Sequence, residues 1–468
     1  MTERKLKLVC FIVAVCVLAA ASSIWLLGSS EYAIAVIIVI IPMITLFVEP
    51  FVGTVIYLVY LYVRPHEFVP GLGSFPLIMV VGGSAFAGVI LRSAVYDRKP
   101  PSLSNSPQDV LLLCLFAAML LSHLGHLDMS GALKAIDAFL PVLVLYFLIT
   151  NVVTNQSRLG VVLAAIAFSA LVIATIGIIE FHTGLQIAET SRSPSRLSAV
   201  GWSNDPNILA VTLLTVVPFL FIKQRQARFA KRVIYILLLS VIFYASYQTN
   251  SRGGMLTLGA VLAVLIWRTH GVWKGLLTGI VLFVLIFKFG PSRMQEMSLT
   301  ETSAHGRMIS LADGLKAFWS NPFVGIGAYG WSGKWGVLIP HCSFIRCAAE
   351  VGLFGLVAWV LLGFISLKNL FFVVSRRRDV LNSPLGVYSE AIMFGCGAFL
   401  TGAMFLPIPY YFPLYVFFAL SAAATNIFVS QETDRYALFE SKDFAYGLLL
   451  SLGGLVGFEV LLRLSGVR

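Results

Sequence analysis

Residues 247–267 read YQTNSRGGMLTLGAVLAVLIW: an arginine and a glycine pair stand directly before an apolar run that closes on tryptophan. From Gly253 onward the run holds no charge, and stretches like it recur along the chain. Several exceed about 18 residues with almost no charge, the length that crosses about 30 Å of hydrocarbon as a helix. In lipid, each backbone N–H and C=O needs a partner within the protein, which an α-helix supplies from its own segment. Apolar residues make up 58% of the 468, charged residues only 12%, and mean hydropathy is +0.90. The expected fold is therefore all-α, a polytopic transmembrane helical bundle.

Outward from that run, candidate spans fall at 8–28, 33–48, 50–63, 74–92, 108–125, 134–152, 159–181, 207–222, 233–248, 252–267, 273–289, 343–366, 386–405, 409–428 and 444–462. Roughly 12–15 crossings are expected. The first, VCFIVAVCVLAAASSIWLLG, follows the basic MTERKLK; VLAAASS resembles a cleavage region, but the apolar run continues past it, which favours an uncleaved helix. KQRQARFAKR (223–232) and KNLFFVVSRRRD (368–379) carry the densest positive charge and belong in the cytoplasm. Alternation from these anchors also puts MTERKLK, RSAVYDRK and NQSR inside. It puts RPHEF (64–68), 182–206, the start of SRGG and the long loop 290–341 outside.

The formal charge of +11 is explained by basic cytoplasmic loops and calls for no nucleic-acid partner. Cys10, Cys16, Cys114, Cys342, Cys347 and Cys396 lie in apolar or membrane-edge sequence without zinc-like spacing, so free, buried thiols are expected. Within 290–341, HGRMISLADGLKAFWS spaces Met308, Leu311, Leu315 and Phe318 along one face, with Asp313 and Lys316 elsewhere. That pattern predicts an amphipathic helix lying at the membrane surface, its stripe toward hydrocarbon, shaping a lateral entrance for a lipid. NPFVGIGAYGW follows and, with three glycines in six residues, reads as a tight loop.

Outer-side ionisable groups stand against these spans. Arg252 and Arg307 begin helices, His341 precedes a span, and Arg346 and Glu350 are four apart on one face of it. Each has a bland reading: a snorkelling flank for an arginine, an interfacial histidine, a self-neutralising Arg346–Glu350 pair. Asp205 and Asn207 read as an Asx turn and cap in GWSNDPN, or as weaker substrate contacts. The chemical reading is that arginines grip a lipid-linked diphosphate while a histidine takes a proton from an attacking sugar hydroxyl. An anion transporter would own the same residues. No internal inverted repeat is visible, which weakens that alternative.

NSRGG (250–254), HGR…FWSNPFVGIGAYGW (305–331) and PHCSFIRCAAEVGLFG (340–355), in that order, resemble the O-antigen ligase and polymerase family of bacterial membrane glycosyltransferases. GWSNDPNILA (201–210) is similar to the family's approach to a span, and RPHE near residue 64 to a branch of O-glycosylation ligases or exopolysaccharide polymerases. The resemblance implies N-terminal transmembrane helices 1–200, a catalytic region 201–366 including periplasmic loop 290–341, and C-terminal helices 367–468. It implies an inner-membrane enzyme with its site facing the periplasm. Arg252 and Arg307 would engage undecaprenyl diphosphate and His341 would activate the acceptor; Arg346, Glu350, Asp205 and Asn207 are further candidate substrate contacts by their place in the sequence rather than by the resemblance. Inverting transfer without metal, cofactor or nucleotide sugar is implied. The acceptor would be a glycan, a lipid A core or a protein, within saccharide-assembly machinery in the phospholipid bilayer. Where the family commonly has asparagine after the histidine, this chain has Cys342.

Overall fold

A computed structural model describes residues 49–67, 77–93, 102–185, 196–198, 205–289, 302–332, 335–376, 383–432 and 438–466. The expected spans at 8–28 and 33–48, the GWSN stretch and residues 290–301 lie outside the described residues.

The helices are α1 (Pro50–Val63), α2 (Leu77–Arg92), α3 (Pro107–Leu124), α4 (Met129–Val152), α5 (Gln156–Thr183), α6 (Pro206–Thr215), α7 (Val217–Gln226), α8 (Phe229–Gln248), α9 (Arg252–His270) and α10 (Val272–Phe289). They continue as α11 (Thr302–Ser320), α12 (Ser343–Arg376), α13 (Pro384–Ala403), α14 (Phe412–Gln431) and α15 (Ser441–Leu464). Proline opens α1, α3, α6 and α13, where its missing N–H has no helical partner to lose. Among the described residues ten helical segments are long and apolar enough to cross a membrane, with α6 and α7 counted as one; α1, α2 and α10 are shorter apolar helices. Each span expected from residue 50 onward coincides with a helix. The protein is a polytopic all-α membrane protein.

Two spans differ from their expected form. The span at 207–222 is split after Thr215, because Pro218 cannot donate the next helical hydrogen bond. The span at 343–366 runs on to Arg376 and breaks at Gly352, whose φ of 65° lies in the left-handed region.

The bundle is graded from centre to edge. In α6–α7 and α14, 83% of the apolar 18-residue stretch is buried inside the protein, against 22% for α8 and α15. The outer helices turn Ile234, Leu237, Leu449 and Leu450 away from the protein, a surface that matches lipid rather than water. Cys114 also faces outward on α3, whereas Cys342, Cys347 and Cys396 are buried free thiols. At one end Glu49 joins Arg92 (3.2 Å) to Arg158 (3.0 Å), which brings together the start of α1, the end of α2 and the start of α5. These are loops expected on one side. The polar groups of the candidate site gather at the other.

Candidate active site

The site is assembled from chain segments far apart in sequence. α9 begins at Arg252 because Ser251 caps it, its Oγ accepting from Gly254 N at 3.1 Å. Asn250, with φ 55°, turns the chain out of α8 just before. Arg252 is thereby the first residue of an apolar helix, half-buried, where the helix N-terminus adds its own partial positive charge. Arg196 ties this corner to α6: its Nε donates to Thr249 O (2.9 Å) and its Nη2 to Asn207 Oδ1 (3.0 Å). Asp205 caps α6, accepting from Asn207 N (2.7 Å) and Asn207 Nδ2 (2.9 Å). The Asx-turn and cap geometry is present, and Asn207 also carries the link to Arg196, which the sequence pattern did not single out.

His341 lies just before α12, and its Nδ1 is 2.9 Å from Ile339 O. A carbonyl only accepts, so Nδ1 carries the proton and Nε2 keeps its lone pair. Partial burial, and then the Arg307 guanidinium, hold the histidine pKa below its ordinary 6.5; the Ile339 carbonyl and Asp205 pull the other way. Arg307 and Asp205 are thus both within electrostatic reach of the imidazole. Cys342 turns away into the core, and burial pushes its thiol up to about 11.

The amphipathic stripe faces inward, contrary to the sequence expectation. Leu315 and Phe318 are buried, with Met308 and Leu311 packed against the same core, and α11 contacts α12 and α15. Ile309 and Trp319 are the exposed apolar residues of this helix. A stripe has the same spacing whether it meets lipid or protein; here the neighbouring helices cover it.

Beneath the histidine lies a buried ion pair. Arg346 Nε donates to Glu350 Oε1 (2.9 Å) and its Nη1 to Pro407 O (2.7 Å), while Glu350 Oε2 accepts from Tyr329 N (3.1 Å). The pair read from the four-residue spacing is there, and it joins α12 to two loops. Where α12 breaks at Gly352, loop 321–328 supplies the lost partners: Leu353 N donates to Pro322 O (2.8 Å), Ile326 N to Ala349 O (2.9 Å) and Gly327 N to Glu350 O (3.0 Å). A Cβ at Gly352 would collide with the Phe323 carbonyl, and one at Gly325 with that of Glu350. The end of α3 holds the same loop: Ser122 Oγ accepts from Ala328 N (3.0 Å), and the His123 and His126 rings bond Ala328 O and Gly325 O, both at 2.8 Å.

Loop 404–411 contributes two tyrosines that the motifs did not flag. The Tyr410 ring lies 4.9 Å from that of Tyr329. Asp205, Arg346 and Arg64 all act electrostatically on the Tyr411 hydroxyl: burial and then Asp205 raise its pKa, and the arginines oppose the rise.

Fold and site together define a multi-pass α-helical membrane protein with arginines and a neutral-leaning histidine gathered at one end of the bundle. Residues 236–360 match the family model described as O-antigen ligase, a match that supports the O-antigen ligase/polymerase family. The match supports glycan transfer of the ligase and polymerase type in general, by a glycosyltransferase-like membrane enzyme. No curated protein matches the chain. The matched region contains Arg252, Arg307, His341, Arg346 and Glu350; Asp205, Asn207, Arg64 and the end of α3 fall outside it.

Proposed function

We propose that this protein moves a glycan from a polyprenyl diphosphate donor to an acceptor hydroxyl on the periplasmic face of a bacterial inner membrane. The observation that carries the reading is His341, with Nδ1 spent on Ile339 and Nε2 left to accept, beside Arg307 and Asp205. The acceptor oxygen attacks the anomeric carbon as its proton passes to His341 Nε2. The bond from that carbon to the diphosphate oxygen breaks, and the electron pair leaves with the diphosphate. A single displacement of this kind inverts configuration. Arg252 and Arg307 hold the departing diphosphate, since planar guanidinium groups bind phosphate oxygens two at a time. Arg346 and Glu350 act as positioning residues, because their bonds are committed to Tyr329, Pro407 and each other.

Arg→Lys at either donor residue keeps charge but loses the two-pronged contact. Arg252→Lys and Arg307→Lys are each expected to lower transfer and weaken donor binding, because the phosphate is held before as well as during reaction. Purified protein, lipid-linked donor and acceptor in detergent, without any gradient, test the reading. A change in glycan length or attachment supports transfer, and its absence under conditions where vesicles move the same saccharide supports transport. Glycan from cells lacking the chain separates the modes: single repeats mean a polymerase, intact long lipid-linked chains a ligase.

A further inference from the structure

The RPHE stretch, far outside the matched domain, is brought to this site. α1 ends at Arg64 with φ 49°, its N–H donating to Tyr60 O at 2.9 Å, and Pro65–Glu67 form a 3-10 turn. A non-glycine residue in this region is strained and persists where the surroundings fix it. Arg64 Nη1 bonds Glu67 Oε1 at 2.8 Å, and the Tyr62 ring meets the Phe412 ring edge-on at 4.8 Å, so the turn stands beside Tyr411. Arg64 Nε and Glu67 Oε2 are buried yet have no hydrogen-bond partner among the described residues. One donor and one acceptor on the two ion-paired side chains are therefore left over, each costly while unpaired.

We infer that Arg64 and Glu67, with Tyr411 beside them, form the acceptor subsite and bind neutral sugar hydroxyls. This rests on the glycan-transfer reading above. A hydroxyl both donates and accepts, so adjacent hydroxyls satisfy the Arg64 Nε donor and the Glu67 Oε2 acceptor together. An anionic group would gain from Arg64 but be repelled by Glu67, so the net-neutral pair selects against phosphate. The Tyr62–Phe412 contact sets the Arg64 turn against the end of loop 404–411, and Arg346 Nη1, donating to Pro407 O at 2.7 Å, ties that loop to the start of α12, where His341 lies with Arg307 in electrostatic reach. The donor diphosphate takes the Arg307 end, the acceptor takes the Arg64 end, and His341 lies between them.

The test uses full-length protein in detergent, lipid-linked donor, and acceptor extracted from cells lacking this chain, in which it accumulates unmodified. Glu67→Gln and Arg64→Ala are expected to raise the half-saturating acceptor concentration about 10-fold or more, since a site built to bond a hydroxyl rejects poorly matched partners strongly. The half-saturating donor concentration should stay within about twofold, as the donor is held elsewhere. The charge-swapped double variant R64E/E67R keeps an ion pair but inverts the array. If it restores native acceptor dependence, the pair is structural and the inference falls. Native-like acceptor dependence in both single variants also overturns it, as does an equal rise for donor and acceptor in variants that unfold at the native temperature. If native protein transfers nothing, the transfer reading itself fails and takes this inference with it. Native transfer with unaltered variants ends the inference alone.

Discussion

His341 gives the most direct link between a bond length and a rate. With Nδ1 donating to Ile339 O, the basic lone pair is on Nε2, and Arg307 together with partial burial favours the uncharged ring. A base works deprotonated, so donor-saturated turnover should rise with pH through a limb lying below 6.5, and be flat at neutrality. Removing a positive neighbour lets the ring hold its proton more easily, so Arg307→Gln should move that limb upward toward the ordinary histidine range in whatever turnover remains. His341→Ala should lose about 10²–10⁴ in turnover and lack the limb, with donor binding nearly kept. A folded His341→Ala protein with near-native turnover would show that the ring is dispensable. A low but identically shaped profile would leave it only a positioning role.

Among the elements, α12 and α11 carry the geometry. The break at Gly352 puts unpaired backbone groups inside a membrane protein, which is tolerated because loop 321–328 pairs them. Gly352→Ala forces a strained φ and a collision with Phe323, and should cost about 2–4 kcal/mol. Thermal unfolding in detergent reads this as a lower midpoint, and an unchanged midpoint would mean that the interlock is loose. For α11 the inward stripe reverses the sequence-based expectation for mutations. Leu315→Asp buries an unpaired carboxylate and should reduce the amount of folded protein itself. Ile309 and Trp319 are the exposed apolar side chains on this helix. Ile309→Asp should lower transfer per folded molecule if this face guides the donor, and equal transfer per folded molecule would remove α11 from the donor's path.

For the whole molecule, the two ends differ in kind. The Glu49–Arg92–Arg158 cluster binds one end together, and Lys223, Arg268 and Lys368 make polar contacts to Tyr388, Glu390 and Asp443. The other end holds Arg252, Arg307, His341 and the tyrosines. If the basic loops are cytoplasmic, a cysteine placed at the exposed Val337 should label from the periplasm. One at the exposed Arg228 should label only after permeabilisation. The opposite pattern would invert the protein and move the proposed chemistry to the wrong side for the donor.

The helices and their alternation were legible in the sequence because hydropathy and loop charge are sums over neighbouring residues, and lipid enforces them segment by segment. Arg252, Arg307 and His341 stood out in the sequence as candidates, since each sets an ionisable group against an apolar pattern. Other features had no local signal. A lone glycine in an apolar run does not announce that α12 breaks at residue 352, and a stripe on α11 does not say whether lipid or protein will cover it. Arg196, Tyr329 and Tyr411 look ordinary in their own stretches, and RPHE, though visible as a motif, does not say what Arg64 will stand beside. Only the tertiary structure decided that they meet around Asp205, Arg346 and His341, because that meeting depends on which helices pack together, and packing joins residues hundreds of positions apart that no local sum relates.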